Sequence, residues 1–446
     1  MTNLNTQTTK TVQKEGHLSE NQKKVKDIDT NWLHTICSEA GADDAGFVEI
    51  EREAISNQKS DILELFPYTK TLISFVCKLN RDNIRVPARS TANLEYHLVN
   101  EHTNNVARKI VAALEKERIR AVNPAIGFPM EMNRWPEKVW VISHKPIAVE
   151  AGLGKMGIHR SVIHPKYGSF VLLGTILINR SLTSYSKPLN YNPCIECKLC
   201  SVACPTGAIS PDGHFSFANC LTHTYRELLG GFIDWTENIV ESKSRKDYRK
   251  RVSDAETVSM WQSLTYGGSY KSVYCIAVCP AGEDVVTHFL EDKKEFIEKI
   301  VKPLQSKAED IYVLPGSDAE DHVSKHFPGK KAKKIGNGLR PRTINGFLEA
   351  LPLIFQRNKS EGVDTTYHFT FTGKEKMKAT VIIRNKSVTV LSDHMETAQI
   401  HVTADSNTWL KFLAKERGII WALFLRRIRV KGPLRLLQAF GRCFPT

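Results

Sequence analysis

The chain has no long hydrophobic run. Its two longest apolar stretches, Phe170–Ile178 and Gly418–Leu425, fall well short of the roughly 18–20 residues that a membrane-spanning helix needs. The opening stretch, Met1–Asp29, is polar and lacks the apolar core of a secretion signal, so a cytoplasmic location is expected. Acid is missing from two stretches. One carries Lys325, Lys330, Lys331, Lys333, Lys334, Arg340 and Arg342; the other carries Arg417, Arg426, Arg427, Arg429, Lys431, Arg435 and Arg442. Seven and seven equal the whole net charge of +14, so the remainder balances. Positive charge confined in this way is a poor footprint for a nucleic-acid-binding face, and no nucleic-acid partner is expected. Acid is missing a third time, between Glu150 and Glu196. The G-x-G-x-x-G of Gly152, Gly154 and Gly157 therefore lacks the ribose-binding carboxylate of a dinucleotide site, although the loop still suits close approach to another large cofactor.

What is present is ordinary in bulk and unusual in one place. The 446 residues are 41% hydrophobic and 25% charged, which fits a soluble chain of two to four domains. Residues 1–26 read as a disordered lead. Residues 27–185 read as an α/β domain, with a helix over 31–40, strands over 71–78, 138–142 and 169–179, and a long helix over 90–118. On that helix Leu94, Leu98, Val106, Ile110, Ala113 and Leu114 recur at helical spacing. Residues 186–285 hold the cysteine motifs, with a helical insertion over 237–260. Residues 286–342 read as a closing helix and a basic linker. Residues 343–446 read as a separate α+β domain: a helix over 344–356, strands over 367–372, 378–383, 387–392, 399–404 and 427–431, a helix through Lys415, and Pro433 in the first turn of a last helix. The fold class is α+β, multidomain.

Seven of the ten cysteines lie between Cys194 and Cys279. Cys194, Cys197, Cys200 and Cys204, followed by Pro205, form the C-x2-C-x2-C-x3-C-P run that bacterial ferredoxins use for 4Fe–4S clusters. Zinc ribbons separate two CxxC knuckles and fit this compact run poorly. Cys220, Cys275 and Cys279-Pro280 follow. In a two-cluster arrangement, Cys194, Cys197 and Cys200 join Cys279, while Cys204, Cys220 and Cys275 serve a second cluster. That second cluster lacks one thiol: Ser272 stands three residues before Cys275. A serine oxygen, water, an open iron corner or a 3Fe–4S cluster would answer the deficit. Cys37, Cys77 and Cys443 read as ordinary thiols.

His144, His159 and His164 bracket the glycine loop and are candidate proton donors, with Tyr167 beside them. His97, Glu101 and His102, with Glu95 nearby, share a helix and read mainly as a solvated face.

Ala151–Ile178, NPCIECKLCSVACPTGAI, NCLTHTYREL and YCIAVCPAGED together resemble the epoxyqueuosine reductase-like iron–sulfur proteins, distant relatives of reductive dehalogenases. That resemblance implies a ferredoxin-type dicluster module and a cobalamin in the N-terminal domain, bordered by Gly152, Gly154 and Gly157. Two departures stand against the parent activity. The stretch Val141–Pro146 lacks the family's general-acid Asp, and Ser272 replaces a cysteine. Residues 343–446 resemble the sterol carrier protein type 2 domain, through YHFTFTG, HVTADSNTWLKFL and IRVKGPLRLL. This implies an apolar ligand, with Trp409, Phe412, Leu413, Ile420, Trp421 and Phe424 as expected lining. The expectation is an iron–sulfur oxidoreductase that passes electrons from an external ferredoxin- or flavodoxin-type donor to a cofactor or a hydrophobic substrate. The alternatives are an electron-transfer adaptor or a lipid-binding protein. The second basic stretch is a candidate peripheral membrane contact.

Overall fold

Asp29 starts the first ordered element by accepting the Asn31 amide at 2.8 Å. A computed structural model describes residues 27–135, 140–336 and 340–445. The expected disordered lead lies outside these, as does part of the strand expected at 138–142; its described part, 140–142, is irregular. In chain order the first region comprises α1 (Thr30–Ala40), β1 (Asp44–Glu49), α2 (Ser56–Leu65), β2 (Thr71–Lys78), α3 (Arg81–Arg85), α4 (Arg89–Lys116), β3 (Ala121–Val122), α5 (His144–Glu150), β4 (Lys155–Met156), β5 (Val162–Ile163) and β6 (Val171–Ile178). The main sheet runs β1-β2-β6-β3 with every neighbour antiparallel.

The near-continuous apolar run of β2 follows from its position, because both faces are covered. Ile73, Phe75 and Cys77 pack with Leu33, Ile110 and Leu114 on the α1–α4 side. Leu72 and Val76 pack with Ile62 and Ile147 on the α2–α5 side. Gly174 pairs with Phe75 across the sheet. A Cβ at Gly174 would lie 2.1 Å from Cζ of Phe75, so the glycine makes room for the ring. The long helix is present, but Leu94 and Leu98 are exposed; Ala92, Tyr96, Thr103, Val106, Ala107 and Ile110 carry its buried side.

The cysteine region contains α6 (Leu199–Ala203), α7 (Phe217–Thr224), α8 (Gly231–Glu241), α9 (Arg245–Arg251), α10 (Asp254–Tyr266) and α11 (Tyr274–Ala277). The helical insertion is therefore three helices rather than one. The closing helix is also broken. Asp292, in extended backbone, separates α12 (Glu283–Glu291) from α13 (Lys293–Phe296), and a π-helical turn over Ile297–Val301 leads to α14 (Lys302–Ser306).

The expected basic linker is a folded unit. The strands β7 (Asp310–Val313) and β8 (Lys331–Lys334) pair in parallel around α15 (Asp318–His326). Four of the seven cations of this stretch find acidic partners, while Lys325 and Lys331 are exposed. The Lys330 side chain is fully buried on Glu309 Oε1 at 2.6 Å and also donates to the carbonyls of Leu304 and Lys307. Lys333 pairs with Glu256, Lys334 with Glu320, and Arg340 with Glu237. Sequence spacing gave no hint of these partners, because the acids lie on the inserted helices and on α15.

The last region comprises α16 (Ile344–Ile354), β9 (Thr365–Thr372), β10 (Met377–Arg384), β11 (Ser387–Ser392), β12 (Ile400–Asp405), α17 (Ser406–Leu413), α18 (Ile419–Phe424), β13 (Ile428–Lys431) and α19 (Leu434–Cys443). The sheet order is β11-β10-β9-β12-β13, and only the β9–β12 pair is parallel. Asn385 and Lys386, both at positive φ, form the β10–β11 turn. Pro433 is the N-cap of α19 rather than part of its first turn. The expected ligand lining divides: Trp409 packs among Phe347, Phe369, Phe371 and Phe412, whereas Ile420, Trp421 and Phe424 face solvent. No helix among the described residues is long and apolar enough to cross a membrane.

Candidate metal centre

The first cysteine loop is wound tightly. Asn192 Oδ1 accepts the Cys194 amide at 3.0 Å, and Glu196 and Lys198 both adopt left-handed backbone. Cys194, Cys197 and Cys200 thereby share one cavity with Cys279, from 79 residues further on; Ile158 and His159 complete its apolar side. The Cys279 loop is seated by two glycines. A Cβ at Gly168 would lie 2.0 Å from the Ala281 carbonyl, and one at Gly282 would lie 2.3 Å from the Gly168 amide nitrogen. Among the described residues no three His, Cys, Asp or Glu side chains converge as a single ion requires. Four thiols around a cavity suit a multinuclear cluster instead.

As free thiols this set is costly to ionise. Burial pushes Cys200 up to about 12, and the neighbouring Cys279, Cys197 and Cys194 add to the shift. Burial likewise pushes Cys279 up to about 11. Bound metal removes this cost by deprotonating its ligating thiols.

The surrounding charges fit an anionic group. Half-buried Arg85 lies between the Phe170 and Phe296 rings, at 5.3 and 5.1 Å, and its Nη2 has no partner. Burial lowers it to about 10, with Cys279 among the groups opposing that shift. Buried Arg89 donates to the carbonyls of Ile84, Val86 and Ser272, and its Nε has no partner. Its burial is opposed in part by Cys275. Lys145 keeps exposed surface and donates to the Arg160 carbonyl at 2.7 Å. Surrounding protein lowers its pKa all the same, and Cys220 and Cys275 oppose that shift. Asp82 offsets part of the burial of Arg85, and Glu309 part of that of Arg89, but each guanidinium keeps a buried N–H without a partner among the described residues, which an anion beside it would satisfy. Sequence reading missed Arg85 and Arg89, which carry no motif.

His159 supplies a second test of fit. It is 5% exposed, and its Nδ1 accepts the Ser161 amide at 3.1 Å, which assigns the ring proton to Nε2. Nε2 is buried with no partner, and the residue lines the cysteine cavity. Burial, then Lys145, pushes its pKa down to about 4, so the ring is neutral. A neutral donor without an acceptor beside four cysteines fits a sulfide-bearing group.

The second set is built by repetition. Lys198 follows Cys197 at φ 60° and precedes α6; Val273 follows Ser272 at φ 51° and precedes α11. A β-branched residue in left-handed backbone is strained and marks a constrained site. Ser272 thus holds the place that Cys197 holds in the first loop. Its side chain is buried, with Oγ 3.3 Å from Thr224 Oγ1. Thr224 Oγ1 is in turn 3.9 Å from Cys220 Sγ. Burial, then Cys220 and Cys204, holds Cys275 well above the usual thiol range. Burial, then Cys204, pushes Cys220 up to about 12.

The remaining candidates are engaged elsewhere. His144 Nδ1 contacts Thr175 Oγ1 at 2.9 Å and Nε2 contacts the Ala125 carbonyl at 3.2 Å. His164 Nδ1 accepts the Lys166 and Tyr167 amides, so Nε2 donates to Asp44 at 3.0 Å. Both nitrogens of each ring are thus held in hydrogen bonds. Tyr167 stacks on His164 with ring centroids 4.8 Å apart. Glu95 accepts from the Asn80 amide and the Asn83 side chain. His97 packs over Gly267 and His102 over Gly41.

The glycines of the loop are closely packed. A Cβ at Gly152 would meet the Lys187 carbonyl at 2.6 Å, and one at Gly154 the Ile163 carbonyl at 2.4 Å. One at Gly157 would meet Ile163 Cδ1 at 2.7 Å and His159 Cε1 at 3.0 Å. Protein fills the space beside each of these glycines, so close packing within the chain accounts for all three. The loop seats His159 and Ile163 against the cysteine cavity.

Comparison with known proteins agrees with these segments. Residues 188–210 match the 4Fe-4S binding domain, and residues 349–445 match the SCP-2 sterol transfer family. The chain is similar to epoxyqueuosine reductases: 25% identical over 166 residues to that of Listeria monocytogenes, covering 36% of each chain. It is 31% identical over 148 residues to that of Prochlorococcus marinus, covering 33% of this chain and 41% of the relative. It spans little more than a third of the length of these curated relatives. Similar solved structures include the epoxyqueuosine reductase of Streptococcus thermophilus (17% identity, TM-score 0.36, covering 62% of this chain and 78% of that one). Others are an epoxyqueuosine reductase with a modified tRNA stem loop (16%, 0.36, 72% and 86%) and a catabolic reductive dehalogenase with 3-bromo-4-hydroxybenzoic acid (14%, 0.38, 72% and 42%). The class is thus an iron–sulfur protein with a ferredoxin-type segment. More particularly, it is epoxyqueuosine reductase-like and carries a C-terminal sterol-carrier-type domain, the combination that the motifs implied.

Proposed function

We propose that this chain is an iron–sulfur reductase in which Cys194, Cys197, Cys200 and Cys279 hold one cluster and Cys204, Cys220 and Cys275 hold a second. The observation that carries this is the shared cavity of the first four cysteines, bordered by the unpartnered Nε2 of His159. When bound, such clusters supply one-electron transfer. The chain's own part is to hold the thiolates, to balance their charge with Arg85, Arg89 and Lys145, and to offer the His159 N–H to sulfur. Ser272 Oγ, with Thr224 beside it, supports an oxygen-ligated or open fourth position in the second set. Electrons would come singly from an external ferredoxin- or flavodoxin-type carrier. A two-electron reduction would consume two reduced carriers and two solvent protons.

The sterol-carrier-type domain supports a hydrophobic small molecule or lipid as the substrate presented. The exclusion of nucleic acid made from charge is withdrawn, because the relatives bear the name epoxyqueuosine reductase; RNA belongs among the ligands assayed. One specific observation favours a second reading, an electron-transfer adaptor without its own substrate chemistry. The close packing at Gly152, Gly154 and Gly157 and the hydrogen-bonded rings of His144 and His164 support it. Anaerobic reconstitution with iron, sulfide and cobalamin tests both readings. Two cluster signals by electron paramagnetic resonance support the dicluster assignment, and one signal overturns it. Retained corrinoid counts against the adaptor reading.

A further inference from the structure

The two basic stretches have opposite fates. Lys330, Lys333, Lys334 and Arg340 are neutralised by ion pairs. Arg426, Arg427, Arg429, Lys431 and Arg435 are exposed and make no ion pair within 4 Å among the described residues, although Asp405, held low first by the Thr408 hydroxyl, also feels the Arg427 charge. From Ser406 to the end of the sequence the only acid is Glu416.

These free cations flank an exposed apolar helix. In α18, Ile420, Trp421 and Phe424 are 79%, 67% and 77% exposed, and Leu425, just after it, is 52% exposed. At 100° per residue these four occupy an arc of about 140°, with Ala422 on the opposite, buried side. Leu434, at the start of α19, adds another exposed side chain. Charge on β13 alone has a plain explanation, since an edge strand is protected from mispairing by Lys and Arg. That explanation does not reach α18, whose aromatic and aliphatic side chains would favour association.

We infer that α18 and the cations of β13 and α19 form a docking surface for an anionic lipid bilayer. Trp421 and Phe424 enter the interfacial region, where aromatic side chains are favoured, and Arg426, Arg427, Arg429 and Arg435 face the lipid phosphates. Cationic charge complementing anionic headgroups selects a bilayer over an uncharged apolar partner. The inference stands apart from the redox reading, because none of these residues touches the cysteine sets.

The test is flotation of the reconstituted full chain with vesicles of phosphatidylcholine alone and with vesicles containing phosphatidylglycerol. Binding should require phosphatidylglycerol and weaken with salt. The variant carrying Arg426→Gln, Arg427→Gln and Arg429→Gln should bind roughly a hundredfold more weakly, at about fivefold per arginine. Trp421→Ala with Phe424→Ala should lower binding by at least about tenfold. Both sets lie on the exposed surface, and circular dichroism and cluster absorbance check that the fold is retained. No binding by the native chain overturns the proposal. So does binding unchanged in the Trp421/Phe424 variant, since insertion would then be absent. So too does a dimer in gel filtration that these same substitutions dissolve, because the face would then join two copies.

Discussion

Replacing His159 separates a hydrogen bond to a cluster from simple packing. The ring proton sits on Nε2, because Nδ1 accepts the Ser161 amide, and Nε2 has no partner among protein atoms. A hydrogen bond to a charged acceptor contributes about 1.5–3 kcal/mol. Its strength grows as the acceptor gains negative charge, so the reduced state benefits more than the oxidised one. If about half of that energy is differential, the difference is about 0.75–1.5 kcal/mol. At about 59 mV per 1.4 kcal/mol for one electron, His159→Leu should lower one midpoint potential by roughly 30–65 mV. His159→Gln, which retains an N–H donor, should recover part of the shift. The apoprotein should respond differently. Removing a buried donor that lacks an acceptor relieves a cost of about 1–3 kcal/mol, against about 0.5–1.5 kcal/mol for the lost bond from the Ser161 amide to Nδ1, so His159→Leu should leave its melting temperature unchanged or higher. The assay is a redox titration followed by electron paramagnetic resonance, with thermal melts of the apoprotein. Potentials equal in the native, Leu and Gln forms would refute the reasoning, as would a fall in apoprotein stability.

Three other outcomes are expected. Ser272→Cys should alter the second cluster's spectrum, and if the native cluster is 3Fe–4S it should raise iron content by about one atom per chain; identical spectra would mean that Ser272 is not at a ligand position. Gly174→Ala should destabilise the first domain by about 1–3 kcal/mol in denaturant unfolding, since the new methyl overlaps the Phe75 ring, and Phe75→Leu should restore part of the loss. The third outcome is acid sensitivity: burial pushes His144 down to about 4 and His223 down to about 3. Both are neutral in the folded state at pH 7, while the unfolded state takes up protons below about 6.5. Stability contributed by the neutral rings is therefore full above about 6.5 and falls as the pH drops toward 4. The slope for two groups approaches about 2.7 kcal/mol per pH unit, and His223→Leu should reduce it in chemical melts of the apoprotein.

Local patterns carried most of the elements. The apolar run of β2, the caps at Asp29 and Asp405, and the turn at Asn385 are each set by a few neighbouring residues. The cysteine grouping was legible because thiol spacing within a loop constrains which sulfurs converge. Long-range partnerships were not legible. Lys333 finds Glu256 across 77 residues, so a stretch that reads as a solvated basic arm is a folded β–α–β unit. The glycines were ambiguous for a related reason. A G-x-G-x-x-G pattern reports that something approaches the backbone closely, without reporting whether it is a ligand or the Ile163 and Lys187 carbonyls. Arg85 and Arg89 had no signal, since isolated arginines are common and only burial beside the cysteines distinguishes these two.

The two cysteine sets differ in their surroundings and at one position, Ser272. The first loop lies near the surface: Ile195 is 44% exposed and Tyr191 is 51% exposed, while Glu196 and Lys198 border the same cavity. In the second set Cys275 lies near Tyr96 and Tyr225; burial is the leading cause pushing both tyrosines above their usual range, and Cys275 adds to the shift in each. Both sets nevertheless carry partly exposed cysteines, Cys194 and Cys197 in the first and Cys220 and Cys275 in the second, so exposure alone does not choose the set that meets a donor. A serine that ligates iron does so as an alkoxide, which keeps the charge of a thiolate and favours the oxidised state, whereas an unligated corner leaves one anion fewer and favours the reduced state. The midpoint potential of the second set before and after Ser272→Cys therefore tells a ligating Ser272 Oγ from an open corner.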